Sequence, residues 1–393
     1  MEITHVESFL IDPFDSNNQK SGGLGVKNLL FLKVTTDEGI CGWGEAFTMP
    51  DRERSINQYI KELTPYVLGR DPFKIKDFTQ MVYNDFASRR GSMDLFCAIS
   101  GIEQALWDIV GKSLNTPVYN LLGGLCRNKI KVYANGWYQD TYSIDEIVKS
   151  AKEVIKSGFN ALKIYPFPRP FRLFIDKKEE SIAVERVRAL REAVGPKVDI
   201  LIDVCRGVAP MYAIRVAKLI KEFDPFWYEE PGQSVNLDIL AEIRNKIDIP
   251  IAIGECLYTK LEFREALEKH VADFLMPDVG NCGGILELKE IAAMAEPYSI
   301  AIAPHNYNST TIGLAATLQV AATIPNFLIT EYYVGFSNFG NEISINPFNI
   351  KNGYIDIPNS PGLGIEINEE LLQKYSFREF PKRKFRSFKD EGS

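Results

Sequence analysis

VDILIDVCRGVAPMYAIRVAKLIKEFDPFWYEEPGQSVNLDILAEIRNKIDIPIAIGE, residues 198–255, decides the fold. Three short apolar or β-branched runs, 198–204, 225–230 and 249–255, are separated by amphipathic stretches of helical length, and each carries an acid at or one residue before its end: Asp203, Glu229 and Glu255. That alternation is the signature of consecutive βαβ units. Working outward, the same rhythm takes in KIKVYANGW (129–137) and ALKIY (161–165) upstream, then DFLMPD (273–278), SIAIAPH (299–305) and NFLITEY (326–332) downstream. Eight strands with seven intervening helices abolish their edges most simply by closing. The expected fold is α/β, a modified (β/α)7β TIM-type barrel over residues 126–344.

Upstream, residues 1–125 read as an N-terminal α+β capping domain. Stretches around Ile3 to Ile11, Asn28 to Thr35 and Ile40 to Phe47 alternate apolar and polar positions, as strands of a small antiparallel sheet do. The connection PFDSNNQKSGGLG between the first two is too polar and glycine-rich to pack, and reads as a surface loop or a lid. From Ser92 to Lys112 the residues Leu95, Ile99, Ile102, Leu106 and Ile109 recur at helical spacing, so one face of that helix is core. Ser92 is its expected N-cap, with Asp94 in the first turn. Residues 345–393 hold turns and one short helical pattern but no further βα unit, and are expected to return to the capping domain.

A length of 393 residues suits a barrel plus a second unit, and 45% hydrophobic with 25% charged residues places the chain among folded globular proteins. The formal charge of −7, without a basic stripe before the last dozen residues, argues against nucleic acid or an anionic membrane as partner. An anionic small substrate would then need a local cation. Six cysteines without a C-x-x-C pair fit neither a zinc site nor a disulfide framework. No run reaches bilayer-spanning length and the N-terminus lacks a signal pattern, so a cytoplasmic location is expected.

The strand-end polar residues are Lys163 or Tyr165, Asp203, Glu229, Glu255, Asp278, His305 and Glu331, and from Asp203 onward they follow at intervals of 26, 26, 23, 27 and 26 residues. C-terminal strand ends of a barrel converge on one mouth, so this phase gathers them into one site. Any one acid alone could be a solvated loop carboxylate; Asp203, Glu229 and Glu255, on three adjacent strands, make an oxygen-ligand set suited to Mg²⁺. Glu230 should face the other way and is the poorer ligand. His305 is the histidine at a strand end and the expected acid/base, with Asp278 holding its far nitrogen. Lys163 could lower the pKa of Tyr165, two residues on and on the same face, or could pair with carboxylates while Tyr165 packs.

The chain resembles the enolase superfamily, in its mandelate racemase and muconate lactonizing enzyme branch. The likeness rests on GICGWGEA, ALWDIVGKSLNTPVYNLLGG, WYEEP, IGE, MPDVGNCGG, APH and PGLG, and spans nearly the whole sequence. It implies metal ligands at Asp203, Glu229 and Glu255, a His305–Asp278 dyad, and a last-strand Glu331. It also implies Mg²⁺-bound carboxylate substrates whose α-proton is removed through an enediolate, and a homo-oligomer. Lys163-Ile164-Tyr165 stands where many members have Lys-x-Lys, which disfavours two-base racemisation. Cys205 stands where some sugar-acid dehydratases have histidine, yet KVYANGWYQD resembles the first barrel strand of gluconate dehydratase-like members. Arg206 reads either as a clamp for the substrate or as a surface arginine. The resemblance thus implies a dehydratase that turns an acid sugar into a 2-keto-3-deoxy acid. The alternatives are a racemase or epimerase of 2-hydroxy acids, or a catalytically silent metal-binding barrel.

Overall fold

Alternation and turn chemistry at the N-terminus give three antiparallel strands, β1 (Ile3–Ile11), β2 (Leu29–Thr36) and β3 (Cys41–Ala46), in the order β1-β2-β3. In this computed structural model, residues 1–14, 27–86, 91–138, 143–168, 173–307, 309 and 311–380 are described. Most of the glycine-rich connection read as a lid, 15–26, lies outside them. The sheet packs on α1 (Glu53–Leu63), α2 (Ile75–Asp85) and α3 (Met93–Ser113). Ser92 caps α3 by accepting the Leu95 N–H. A short α4 (Val118–Leu121) leads out of the cap.

Eight strands follow: β4 (Lys129–Asn135), β5 (Ala161–Ile164), β6 (Asp199–Asp203), β7 (Trp227–Glu229), β8 (Ile251–Ile253), β9 (Phe274–Leu275), β10 (Ala301–Ile302) and β11 (Thr330–Tyr333). Between them run α5 (Ile144–Lys156), α6 (Lys177–Val194), α7 (Pro210–Ile220), α8 (Leu237–Arg244), α9 (Thr259–Glu268), α10 (Ile285–Ala295) and α11 (Thr311–Ala321). Neighbouring strands pair in parallel from β4 through β10. The ring closes where Leu328 N–H donates to Ile302 O at 2.9 Å and where β11 pairs β4 through Thr330 and Val132. This is the (β/α)7β barrel with an N-terminal cap.

The barrel interior is one buried side chain from each stave: Tyr133, Ala161, Leu201, Trp227, Ala252, Met276, Ala303 and Ile329. Since side chains alternate along a strand, the residues two further on point into the same axis one layer nearer the mouth. Those residues are Asn135, Lys163, Asp203, Glu229, Gly254, Asp278, His305 and Glu331. An apolar plug therefore sits directly beneath a ring of polar and charged groups.

The tail divides. Beyond β11 come α12 (Ser337–Ile343), β12 (Ile350–Lys351) and β13 (Tyr354–Asp356), and β13 adds antiparallel to the start of β4 through Asp356 and Lys129. After α13 (Glu369–Leu372), Ser376 O accepts the Asp12 N–H and Asn28 bonds Arg378. The tail thus touches the foot of the barrel before it reaches the cap. Among the described residues no helix is long and apolar enough to cross a membrane, and all six cysteines are free thiols.

Candidate active site

Seven of the eight staves carry a polar residue in the ring, and β8 carries Gly254 instead. Its φ of 140° takes the chain through a turn that side chains avoid, and a Cβ there would stand 2.8 Å from the Met276 nitrogen. The out-of-phase Glu255 thereby reaches the mouth. Its Oε2 lies 2.9 Å from His305 Nε2. On the other side of the ring, His305 Nδ1 meets Asp278 Oδ2 at 2.6 Å. Asp278 is itself fixed, since its Oδ1 accepts the Gly280 N–H at 2.7 Å.

Lys163 lies under the carboxylates. Its Nζ is 2.8 Å from Glu229 Oε1 and 3.1 Å from Glu331 Oε1, and all three side chains are buried. Trp227 Nε1 donates to Glu229 Oε2 at 3.0 Å, Asn135 Nδ2 to Glu331 Oε1 at 2.5 Å, and the Asn306 N–H to Glu331 Oε2 at 3.0 Å. Asp203 pairs in register with Glu229 across β6 and β7 and accepts the Cys205 N–H at 2.7 Å. The structure thus brings Asp203, Glu229, Glu255, Asp278, His305, Lys163 and Glu331 to one mouth.

Of the two readings open for Lys163 and Tyr165 the geometry has the second, in which the lysine pairs with carboxylates and the tyrosine packs, whereas Arg206 fits neither of its own. β5 ends at Ile164, so the alternation that would set Tyr165 beside Lys163 stops one residue short. Tyr165 packs in the buried cluster that holds Ile164 and Phe167, its ring 5.6 Å from Phe167, and its N–H donates to the Tyr138 hydroxyl. Arg206 is neither a surface arginine nor a waiting clamp: its guanidinium bonds Glu255 and lies 3.3 Å from Glu230. Glu230, set aside as facing away, is buried, with φ 45°, and accepts N–H and O–H bonds from Gly254 and Ser234. Cys205 and Arg206 also have positive φ, so left-handed backbone gathers here at the mouth, as strain does at functional sites.

The electrostatics follow from burial and crowding. Burial raises the pKa of Asp203 to about 6 and of Glu229 to about 8, against the pull of Lys163 and with neighbouring carboxylates adding to the rise. Burial also opposes the charge on Lys163, but Glu229 and Glu331 outweigh it and hold the ammonium well above the ordinary lysine value. Burial would likewise empty the His305 ring of its second proton. Glu331, Asp278 and Glu255 prevail and raise its pKa well above the usual range. At Glu255 burial is overcome by Arg206 and His305, and the carboxyl lies well below its ordinary value.

Among the described residues, no three His, Cys, Asp or Glu side chains already stand together as a ligand set. Lys163, Arg206 and His305 lie against the carboxylates instead. The donor chemistry nonetheless fits a hard divalent cation. Asp203, Glu229 and Glu255 offer oxygen alone, and two of them are acids whose ionisation burial and mutual repulsion resist, which a cation would relieve.

Sequence reading missed Asn135, although it stands two residues after Tyr133, in the phase of every other ring residue. It also missed Lys27. That side chain is buried, donates to Thr48 O at 2.6 Å, and lies 4.6 Å from the centre of the Phe47 ring, which is itself 6.2 Å from His305. Burial lowers its pKa to about 8. No periodic signal marks it, because it follows the glycine-rich connection.

A barrel whose mouth gathers carboxylates, a buried lysine and a carboxylate-held histidine has the make-up of an enzyme active site. The family model described as enolase C-terminal domain-like matches residues 146–371, and that of the mandelate racemase/muconate lactonizing enzyme N-terminal domain matches 17–123. The chain belongs to this family of enzymes, the mandelate racemase and muconate lactonizing enzyme branch of the enolase superfamily. It is similar to a D-galactonate dehydratase of Variovorax paradoxus, with 36% identity over 87% of this chain and 90% of that protein. A D-gluconate/D-galactonate dehydratase of Picrophilus torridus is 34% identical over 88% of each. A solved mandelate racemase/muconate lactonizing enzyme-like protein from a Roseovarius species superposes with a TM-score of 0.88 at 31% identity, covering 96% of both chains.

Proposed function

We propose that the protein is a Mg²⁺-dependent acid-sugar dehydratase that removes the proton beside the substrate carboxylate and expels the neighbouring hydroxyl as water, giving a 2-keto-3-deoxy acid. The observation that carries the reading is His305, held by Asp278 at 2.6 Å on one nitrogen while the other faces Glu255 at 2.9 Å. Carboxylates at both nitrogens hold the ring in one orientation, with Nε2 toward the mouth, and keep it an imidazolium at rest, so it serves as the base only after Nε2 has given up its proton. Similarity to the named dehydratases adds support.

In this reading Asp203, Glu229 and Glu255 would hold Mg²⁺, which would supply positive charge for the substrate carboxylate and for the anion formed when the adjacent proton leaves. His305 Nε2 takes the C2 proton and returns it to the departing C3 hydroxyl. Asp278 keeps the ring oriented through both transfers. Lys163 stays an ammonium between Glu229 and Glu331 and steadies the negative charge that develops above it. Tyr165 is left as a packing residue, and Arg206 as the partner that fixes Glu255.

A panel of aldonic and aldaric acids incubated with enzyme and Mg²⁺, then assayed for 2-keto acids, tests this. At least one acid should give a keto product that EDTA suppresses. Silence across the panel would sink the reading.

A further inference from the structure

Helix α3 is buried on nearly every side, and past Asp94 in its first turn this includes the polar residues Ser100, Glu103, Gln104 and Asp108. Uncompensated burial of such groups is costly, so their partners matter. Three of them go to one loop of the barrel. Ser100 Oγ accepts the Gly283 N–H at 3.0 Å, and Gln104 Nε2 donates to Val279 O at 3.2 Å. Glu103 accepts the first two amides of α10, Ile285 at 2.7 Å and Leu286 at 2.9 Å, and its Oε1 also takes the Trp107 indole N–H. A carboxylate from the cap therefore supplies the N-terminal cap that α10 lacks in its own sequence, where Gly284 has no side chain to offer. Gly284 is needed there: a Cβ would lie 2.1 Å from Glu103 Oε2.

The loop so held, Asp278 to Gly284, begins with the residue that orients His305. Asp278 also accepts from within it, through the amides of Gly280 on its side chain and Cys282 on its carbonyl. On the far side of His305 a second cap carboxylate repeats the device. Glu45 Oε2 accepts the Gly313 N–H at 2.8 Å in the first turn of α11, and the Ser309 hydroxyl at 3.1 Å. Gln104 joins the two halves, accepting the Glu45 N–H at 3.1 Å. The helices before and after the His305 stave are thus both anchored by glutamates of the other domain.

We propose that Glu103, with Glu45 as its counterpart, is a positioning residue for the Asp278–His305 dyad, setting the orienting carboxylate through the Asp278–Gly284 loop. The proposal rests on the dehydratase reading only for its kinetic readout. Releasing the loop need not unfold the protein, but an imidazole displaced by a fraction of an ångström loses proton-transfer efficiency.

The test uses the full chain as E103A and E103Q, with K76A as a control. Lys76, about half exposed, joins the cap to the same helix, α10, from its outer side through Glu290 and, at 3.8 Å, Glu287, and so controls for losing a solvent-screened tie between cap and barrel. Hydrogen exchange should quicken at least ~10-fold in residues 278–286 of E103A, and kcat should fall ~100-fold with KM within a factor of two, as small misplacements do. E103Q, which keeps one acceptor, should fall between wild type and E103A, and K76A should match wild type in both readouts. Should E103A fail to fold, E103Q carries the test with the same two readouts. Exchange in residues 278–282 unchanged in the folded variants, or kcat unchanged while exchange quickens, overturns the proposal. Were the wild type to turn over no acid sugar at all, the exchange measurement would still decide whether Glu103 holds the loop.

Discussion

Arg206 and Glu255, 49 residues apart in sequence, are joined directly across the barrel mouth, guanidinium to carboxylate. The same Arg206 reaches Glu230, which has no exposed surface. Removing the arginine would leave two acids crowded in a low-dielectric site with their neutralising partner gone. Arg206→Ala should therefore destabilise the fold by about 3 kcal/mol, the usual cost of stripping one partner from a buried pair. Urea denaturation at pH 7 checks this, and Arg206→Lys, which cannot span both acids with a planar fork, should recover only part of the loss.

Lys163 and Tyr165 separate cleanly by experiment. Lys163 is the cation between Glu229 and Glu331, whereas Tyr165 packs with Phe167. Lys163→Met should reduce kcat at least ~100-fold, by loss of a buried charge that stabilises developing anion. Tyr165→Phe should retain kcat within about threefold of wild type, since packing rather than proton transfer is its role. Steady-state kinetics on the best acid sugar compares them.

Lys27 is charged at neutral pH in a buried position that disfavours it. Its folded pKa of about 8 lies below the ordinary lysine value of 10.5, so between those values the unfolded chain holds more protons than the folded one. Stability from this group then rises with pH over that window, and below pH 8 the full penalty is present. Lys27→Met should stabilise the protein at pH 7 by up to ~3 kcal/mol, less the bond lost to Thr48, and the gain should fade toward pH 10.5. Denaturation midpoints from pH 7 to 10.5 would show the gain shrinking.

Divalent cation should bind the native state and not the unfolded one, and so raise the melting temperature. Excess Mg²⁺ is expected to raise it by several degrees, on the order of a 2–3 kcal/mol linkage gain at saturating metal. Asp203→Asn, Glu229→Gln and Glu255→Gln should each shrink that shift, while Glu230→Gln, whose carboxylate faces Arg206 and Gly254, should retain it.

The barrel was legible because its information is local and repeated. All but one of the runs from KIKVYANGW to NFLITEY carry their apolar residues and their polar residue in one phase, and the structure resolves that phase into an apolar layer, Tyr133 to Ile329, under the charged ring. Glu255 broke the phase by one residue and was still found, because IGE ends the run; its geometric cause, the turn at Gly254, is visible only in three dimensions. Tyr165 stayed open between two readings because alternation fixes its face only while the strand continues, and β5 ends at Ile164. Arg206, Glu230 and Lys27 carry charges whose partners lie on other elements, and no spacing rule encodes those meetings. The polar residues of α3 illustrate the same limit: helical periodicity marks one face as core and leaves Glu103 and Gln104 on a face that reads as solvated, whereas the barrel loop buries it.

Proton NMR of gluconate and galactonate with enzyme and Mg²⁺ in D₂O tests the central claim most directly. The account predicts new 3-deoxy signals for at least one of them, from a C3 that carries one proton and one deuteron taken from solvent as the enol becomes the ketone, and none of that turnover in His305→Asn. Exchange of the C2 proton with no loss of water, or product formation undiminished in His305→Asn, would contradict it.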